Sequence, residues 1–125
     1  MKEDQFAPKL ATALRELDCD VLRVETNMDR GVPDMNACFQ GSEIWIELKV
    51  PGGKKILLRP AQFAWGCRRH SKGGKVRLVV FGETELILYK YPLQVQPCGE
   101  YVELMGGESM KCEKIDGRAL NFLFT

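Results

Sequence analysis

Glu43-Ile44-Trp45-Ile46-Glu47-Leu48-Lys49 is the clearest strand in this 125-residue chain. Its residues alternate in character. Ile44, Ile46 and Leu48 fall on one face, and Trp45, Glu47 and Lys49 on the other, which is the two-residue period of a β-strand. Val50-Pro51-Gly52-Gly53 breaks the strand, and Gln40-Gly41-Ser42 turns the chain into it. Upstream, Met35 to Phe39 reads as a second strand, opened by the tight turn Gly31-Val32-Pro33-Asp34. A hairpin-like pairing of the two strands brings Asp34 close to Glu47 and Lys49, which lie two residues apart and share a face.

Two carboxylates converging on a polar pocket suit Mg²⁺, a hard cation that takes oxygen ligands and retains waters and a phosphate oxygen. Such an ion polarises a phosphoryl oxygen and acidifies water. An adjacent lysine, Lys49, would orient the attacking water and offset charge at phosphorus. The plainer reading of Glu-x-Lys on a strand is a solvated face. Against it stand the wholly aliphatic opposite face, the Pro33-Asp34 turn before the strand and the basic stretch after it.

That basic stretch is hidden by a net charge of only +1. Residues 1–47 carry five Lys/Arg and ten Asp/Glu, residues 48–82 nine and none, and residues 83–125 four and seven. Half of all basic side chains therefore lie in an acid-free segment, which points to a polyanionic partner. Lys54, Lys55, Arg59, Arg68, Arg69, Lys72 and Lys75 lie in it, and Arg30 precedes the Pro-Asp turn. These are the expected phosphate contacts, positioning nucleic acid without reading its sequence.

Other classes are excluded. The five cysteines are scattered with no CxxC pair, which argues for reduced, buried thiols in a cytoplasmic protein and against a disulfide framework or zinc site. The single histidine, His70, reads as structural and not as a general base. Gly52-Gly53-Lys54-Lys55 lacks the upstream glycine and following Ser/Thr of a P-loop, so no nucleotide cofactor is expected. No run approaches the roughly 18 apolar residues of a membrane span, and no secretion signal is expected.

Working outward, Phe6, Leu10, Ala13, Leu14 and Leu17 fall on a helical stripe, with Pro8 expected in or near the first turn. Asp18-Cys19-Asp20 ends that helix, and Val21 to Glu25 reads as a short strand. Ile56 to Leu58 is extended, and Pro60 opens a second helix running to about His70, closed by Ser71-Lys72-Gly73-Gly74. Trp65 on it reads as packing. Val76 to Phe81 and Leu86 to Tyr91 read as strands, and short strands are expected near Tyr101 to Leu104 and Leu120 to Phe124. The whole is one α/β domain, an αβββαβ core with a central mixed sheet flanked by helices.

Gly31-Val32-Pro33-Asp34, Ile44-Trp45-Ile46-Glu47-Leu48-Lys49 and Leu58-Arg59-Pro60-Ala61-Gln62, in that order, resemble the PD-(D/E)xK nuclease superfamily. Within it the resemblance is to the virus-type replication-repair nucleases (VRR-Nuc), in their small stand-alone phage form, over about residues 3–82. It implies a restriction-endonuclease-like fold and a Mg²⁺- or Mn²⁺-dependent DNA endonuclease. Asp34, Glu47 and the backbone carbonyl of Leu48 would be metal ligands, Lys49 the catalytic lysine, and Gln62 its support. The family also places an acid on the first helix. Glu3 is chosen because it projects onto the Phe6/Leu10/Leu17 stripe, with Glu25 a remoter candidate. The implied substrate is branched DNA such as a Holliday junction. One active site per chain then implies a homodimer for symmetric cutting, for which residues 83–125 are available, unless they cover a sheet edge. A nickase, a flap or restriction-like nuclease, and a non-catalytic nucleic-acid-binding module are the competing readings.

Overall fold

The computed structural model describes the backbone of residues 3–24 and 31–125, with side chains from Gln5 onward in those ranges. Its centre is the strand read first. β1 (Asp20–Arg23), β2 (Met35–Phe39) and β3 (Ser42–Lys49) form an antiparallel meander, with Met35 opposite Ile46 and Phe39 opposite Ser42. Gln40 and Gly41 both have positive φ (49° and 78°), the backbone that closes a two-residue hairpin without splaying its strands.

β3 then pairs in parallel with β5 (Val76–Phe81). Parallel neighbours need a long crossover, supplied here by β4 (Leu57–Leu58) and α2 (Pro60–Ser71). β6 (Leu86–Cys98) and β7 (Tyr101–Cys112) complete a seven-stranded mixed sheet of order β1-β2-β3-β5-β6-β7-β4.

Both faces of the sheet are covered. Ile44, Ile46 and Leu48 pack with Val79 and Phe81 under α1 (Glu3–Glu16) and α3 (Gly117–Phe124). Val76, Leu78 and Val80 point the other way, with Leu58, Tyr91 and Leu93 and the half-buried Phe63 and Trp65 of α2. α1 buries Ala7, Leu10, Ala11 and Leu14, and Asp18 ends it at φ 69° while the Cys19 N–H bonds back to the Leu14 carbonyl. Pro8 sits one turn deeper in α1 than expected, because the helix starts at Glu3. It is exposed, so the missing backbone donor lies on the solvent side.

The C-terminal third departs most from expectation. Leu120 to Phe124 is helical and not a strand. Asp116 caps α3 by accepting the Ala119 N–H at 3.0 Å, a bond that lowers its carboxyl pKa, and Ala119, Leu120, Leu123 and Phe124 are buried. Five residues, apolar but for Asn121, are too few to show a readable period, so the cap decides. β6 runs past Tyr91 to Cys98, because the sheet takes Pro92 within a register shift between Lys90 and Leu93. The β6–β7 hairpin also fastens the loop after β3. Leu57 pairs with Glu103, and the Leu104 N–H bonds to the Ile56 carbonyl at 2.9 Å. None of the five cysteines is in a disulfide, and burial raises the thiol pKa of Cys19, Cys67 and Cys112. Among the described residues, no helix is long and apolar enough to cross a membrane.

Two basic side chains of the acid-free stretch hold α3 in place. Arg77, 4% exposed, donates from Nε to the Leu123 carbonyl at 2.6 Å, and Lys75 donates to the Phe124 carbonyl at 3.1 Å and to Ser42 Oγ at 2.7 Å. Burial lowers the Arg77 pKa, partly countered by Glu108. We predict that Arg77→Met lowers stability by about 1–3 kcal/mol through the orphaned Leu123 carbonyl, measured by urea unfolding; wild-type stability would remove Arg77 as the anchor of α3.

Candidate active site

The β2–β3 register positions the first carboxylate. Extending Met35↔Ile46 by one residue sets Asp34 opposite Glu47. Asp34 accepts the Leu48 N–H through Oδ2 at 2.7 Å, and its own carbonyl takes the Val24 N–H at 2.8 Å. Both its side chain and its backbone are therefore tied to neighbouring strands. Gly31 controls the approach. It has φ +74°, and a Cβ there would lie 2.1 Å from the Ala61 carbonyl oxygen, so the loop presses its bare backbone against the first turn of α2.

Glu47 and Lys49 project from β3 toward α2. They are 4% and 9% exposed, which removes the solvated-face reading. Burying an ionised group costs several kcal/mol unless partners compensate, so a fold seeking stability alone would place apolar residues here. Gln62 supplies one such partner. It is the third residue of α2, and its Oε1 accepts the Arg59 N–H at 3.0 Å while its Nε2 donates to Glu47 Oε1 at 3.2 Å. The helix-start role and the site role of Gln62 are thus the same geometry seen from its two ends.

The donor set fits a hard cation. Asp34 and Glu47 provide carboxylate oxygens from adjoining strands. In an extended strand a residue's N–H and C=O point to the same side, so the Leu48 N–H directed at Asp34 implies a Leu48 carbonyl on that side too. No cluster of three His, Cys, Asp or Glu capable of holding a metal occurs among the described residues. Two carboxylates and a carbonyl suit an ion that keeps much of its water. The side chain of Glu3, and all of Glu25 and Arg30, lie outside the described residues.

The basic residues divide along α2. Lys54 and Lys55 are exposed on the Gly52–Lys55 turn, where Lys55 Nζ lies 3.7 Å from Cys98 Sγ, and Arg59 is exposed at the start of α2. Arg68, Arg69 and Lys72 are exposed at its end, with His70 beside them. Lys75 belongs with α3, as described above.

Two contributors escape a sequence reading. Tyr91 is buried against Gly66, where a Cβ would meet its ring at 2.3 Å. Burial pushes its phenol pKa up, and the charge of Glu47 and the Cys67 thiol push the same way. The interior helical glycine was the available signal, since it marks close approach. Trp45, one step along the Glu47 face, meets Trp65 edge to face at 5.4 Å, which agrees with a packing role for Trp65.

No protein-family model and no curated protein sequence matches this chain. Among solved structures, Hjc, a Holliday junction resolvase from the archaeal hyperthermophile Archaeoglobus fulgidus, matches with a TM-score of 0.63 at 13% identity, covering 79% of this chain and 83% of its own. At that identity the likeness is one of fold, and the fold is restriction-endonuclease-like.

Gly31→Ala should destabilise the protein more than Gly41→Ala. Both glycines have positive φ, but only Gly31 faces backbone, while nothing lies within 4 Å of a Cβ at Gly41. The shared strain is about 1–3 kcal/mol, and thermal melts of the two variants isolate the contact term. Equal melting losses would mean that the Gly31–Ala61 approach does not hold the Asp34 loop.

Proposed function

We propose that this protein is a Mg²⁺- or Mn²⁺-dependent DNA endonuclease of the PD-(D/E)xK superfamily, of the VRR-Nuc type, acting on branched DNA such as a four-way junction. The observation that carries the reading is the burial of Glu47 and Lys49 side by side, with Asp34 fastened to the same strand through the Leu48 N–H. The ordered motifs and the fold shared with a Holliday junction resolvase support it.

Asp34, Glu47 and the Leu48 carbonyl would hold the ion. When bound, it supplies Lewis-acid relief of charge at the phosphate and a lower pKa for water. Gln62 fixes the orientation of Glu47 through its amide donor, so that one oxygen stays committed to the helix. Lys49 shares the Glu47 face of β3 and brings an ammonium to the reacting phosphate. It orients water for attack and offsets charge as the phosphorus becomes five-coordinate. The helix acid, Glu3 by the sequence argument, would complete the ligand set.

Phosphate contacts from Arg30, Lys54, Lys55, Arg59, Arg68, Arg69 and Lys72 would seat the DNA backbone on either side of this centre. Paired cuts across a two-fold junction require two centres, so the active form would be a homodimer.

The test is a panel of labelled junction, flap, splayed-arm, duplex and single-stranded DNA with Mg²⁺, Mn²⁺ or EDTA. Cleavage is expected with either ion, none with chelator, and junctions are expected to be cut in preference to duplex. Lys49→Ala should lower the cleavage rate by about 10²–10³-fold, the usual cost of removing a group that stabilises developing charge, with DNA affinity retained. Asp34→Ala and Glu47→Ala should also abolish turnover. Equal cutting of junction and linear duplex would remove the branched-substrate assignment. Wild-type cutting by Lys49→Ala would remove the mechanism.

A further inference from the structure

The cations at the end of α2 form something more specific than a charged surface. Arg68, Arg69 and Lys72, with Trp65, Gly73 and Gly74, line an open groove of about 710 Å³. No acidic residue occurs anywhere from Leu48 to Gly82 to neutralise it.

Arg69 rests against two indole rings. Its guanidinium lies over Trp65 at 4.7 Å and over Trp45 at 5.5 Å. Gly74 closes on its stem, since a Cβ there would sit 2.6 Å from Arg69 Cγ. A guanidinium held against an aromatic ring by cation–π attraction keeps its N–H donors available for an oxyanion. Among the described residues, none accepts a hydrogen bond from Arg69.

The ordinary explanation for cations at a helix C-terminus is complementing the helix dipole or capping its carbonyls. Here the carbonyls of Arg69 and His70 already receive backbone N–H groups from Lys72, Gly73 and Gly74. Capping therefore does not account for the three cations, and the dipole attraction that remains would not call for a groove or for the seating of Arg69 on two rings. A planar fork resting against two indoles, flanked by two further charges, matches the bidentate geometry of a phosphate.

We infer that this groove is a second phosphate-binding subsite for the DNA strand that enters the active site, with Arg69 as its fork and Arg68 and Lys72 as flanking charges. The inference rests on the nuclease reading for the identity of that strand. Gln62 over Glu47 and Arg69 over Trp45 stand seven residues apart on α2, about 10.5 Å at 1.5 Å per residue. Adjacent phosphates of one strand lie further apart than the axial rise of roughly 3.4 Å per nucleotide, so that span covers at most about three nucleotides. The bound phosphate is therefore within about three nucleotides of the one that is cut.

The experiment measures binding of a labelled four-way junction against salt concentration, using the full chain in a Lys49→Ala background. Adding Arg69→Ala or Lys72→Ala should weaken binding and make the log–log salt slope shallower by about one, as expected for a lost phosphate contact. Arg69→Lys should keep the slope yet bind more weakly, because the charge remains while the fork is lost. A single neutral methylphosphonate, placed in turn at each phosphate within about three nucleotides of the cut, should at one position weaken the parent but not Arg69→Ala. Unchanged affinity and slope in both alanine variants overturn the subsite. Lys72 is exposed, so its variant reports even if Arg69→Ala disturbs the tryptophan pair. If the wild-type chain cuts DNA while both slopes stay at the parent value, the subsite alone fails. If the slopes fall but no substrate is cut in Mg²⁺ or Mn²⁺, the subsite stands as a binding site and the nuclease reading fails.

Discussion

The Asp34 carboxylate accepts the Leu48 N–H at 2.7 Å, and most of the site's geometry follows from that one bond. It lies just beyond the β2–β3 ladder, where backbone pairing no longer fixes one chain against the other. A carboxylate can occupy that position only if the loop before it is held as well. Gly31 does this by lying against the Ala61 carbonyl, and the next residue of α2, Gln62, reaches Glu47. Loop, β3 and α2 thus form a closed circuit in which Asp34, Glu47 and Gln62 cannot be displaced independently. A charge-assisted bond of this kind is worth more than a neutral one, and it holds an oxygen donor where a cation would need it.

The energetic asymmetry of β3 explains why its two faces were given different neighbours. Ile44, Ile46 and Leu48 are essentially fully buried beneath α1 and α3, and they contribute stability without chemistry. The other face, with Glu47 and Lys49, sits beneath α2, whose exposed ends carry Arg59, Arg68 and Arg69. The first face offsets the cost of burying charge on the second. The long β6–β7 hairpin adds to that reserve, since Leu93, Leu104 and Tyr91 close the core below α2 and β7 holds the loop that precedes it.

Legibility from sequence tracked the range of the interactions involved. β2, β3, β5 and α2 were readable because alternation, turn residues and a helix-opening proline are local signals, and their observed limits differ by a residue or so from those expected. Asp34, Glu47 and Lys49 were readable as a group because register follows from a two-residue turn. The C-terminal third is poorly legible. Leu120 to Phe124 has no period to separate strand from helix, and the prolines of β6 masked a strand that a register shift allows to continue. Tyr91 gave no sign of its place beside Glu47, because that neighbourhood arises only when α2 crosses the sheet.

The alternation of β3, the acid-free basic stretch and the two-apart spacing of Glu47 and Lys49 are written in the order of the residues alone. Each is a property of adjacent residues and survives any packing. It took the packing of distant segments to bury those two side chains, to let Gln62 serve both its helix and Glu47, and to engage Lys75 with α3 while Arg69 rests on a pair of tryptophans. Burial and partner choice depend on which distant segments share a face, and that is set by the crossover of α2 and the register of seven strands.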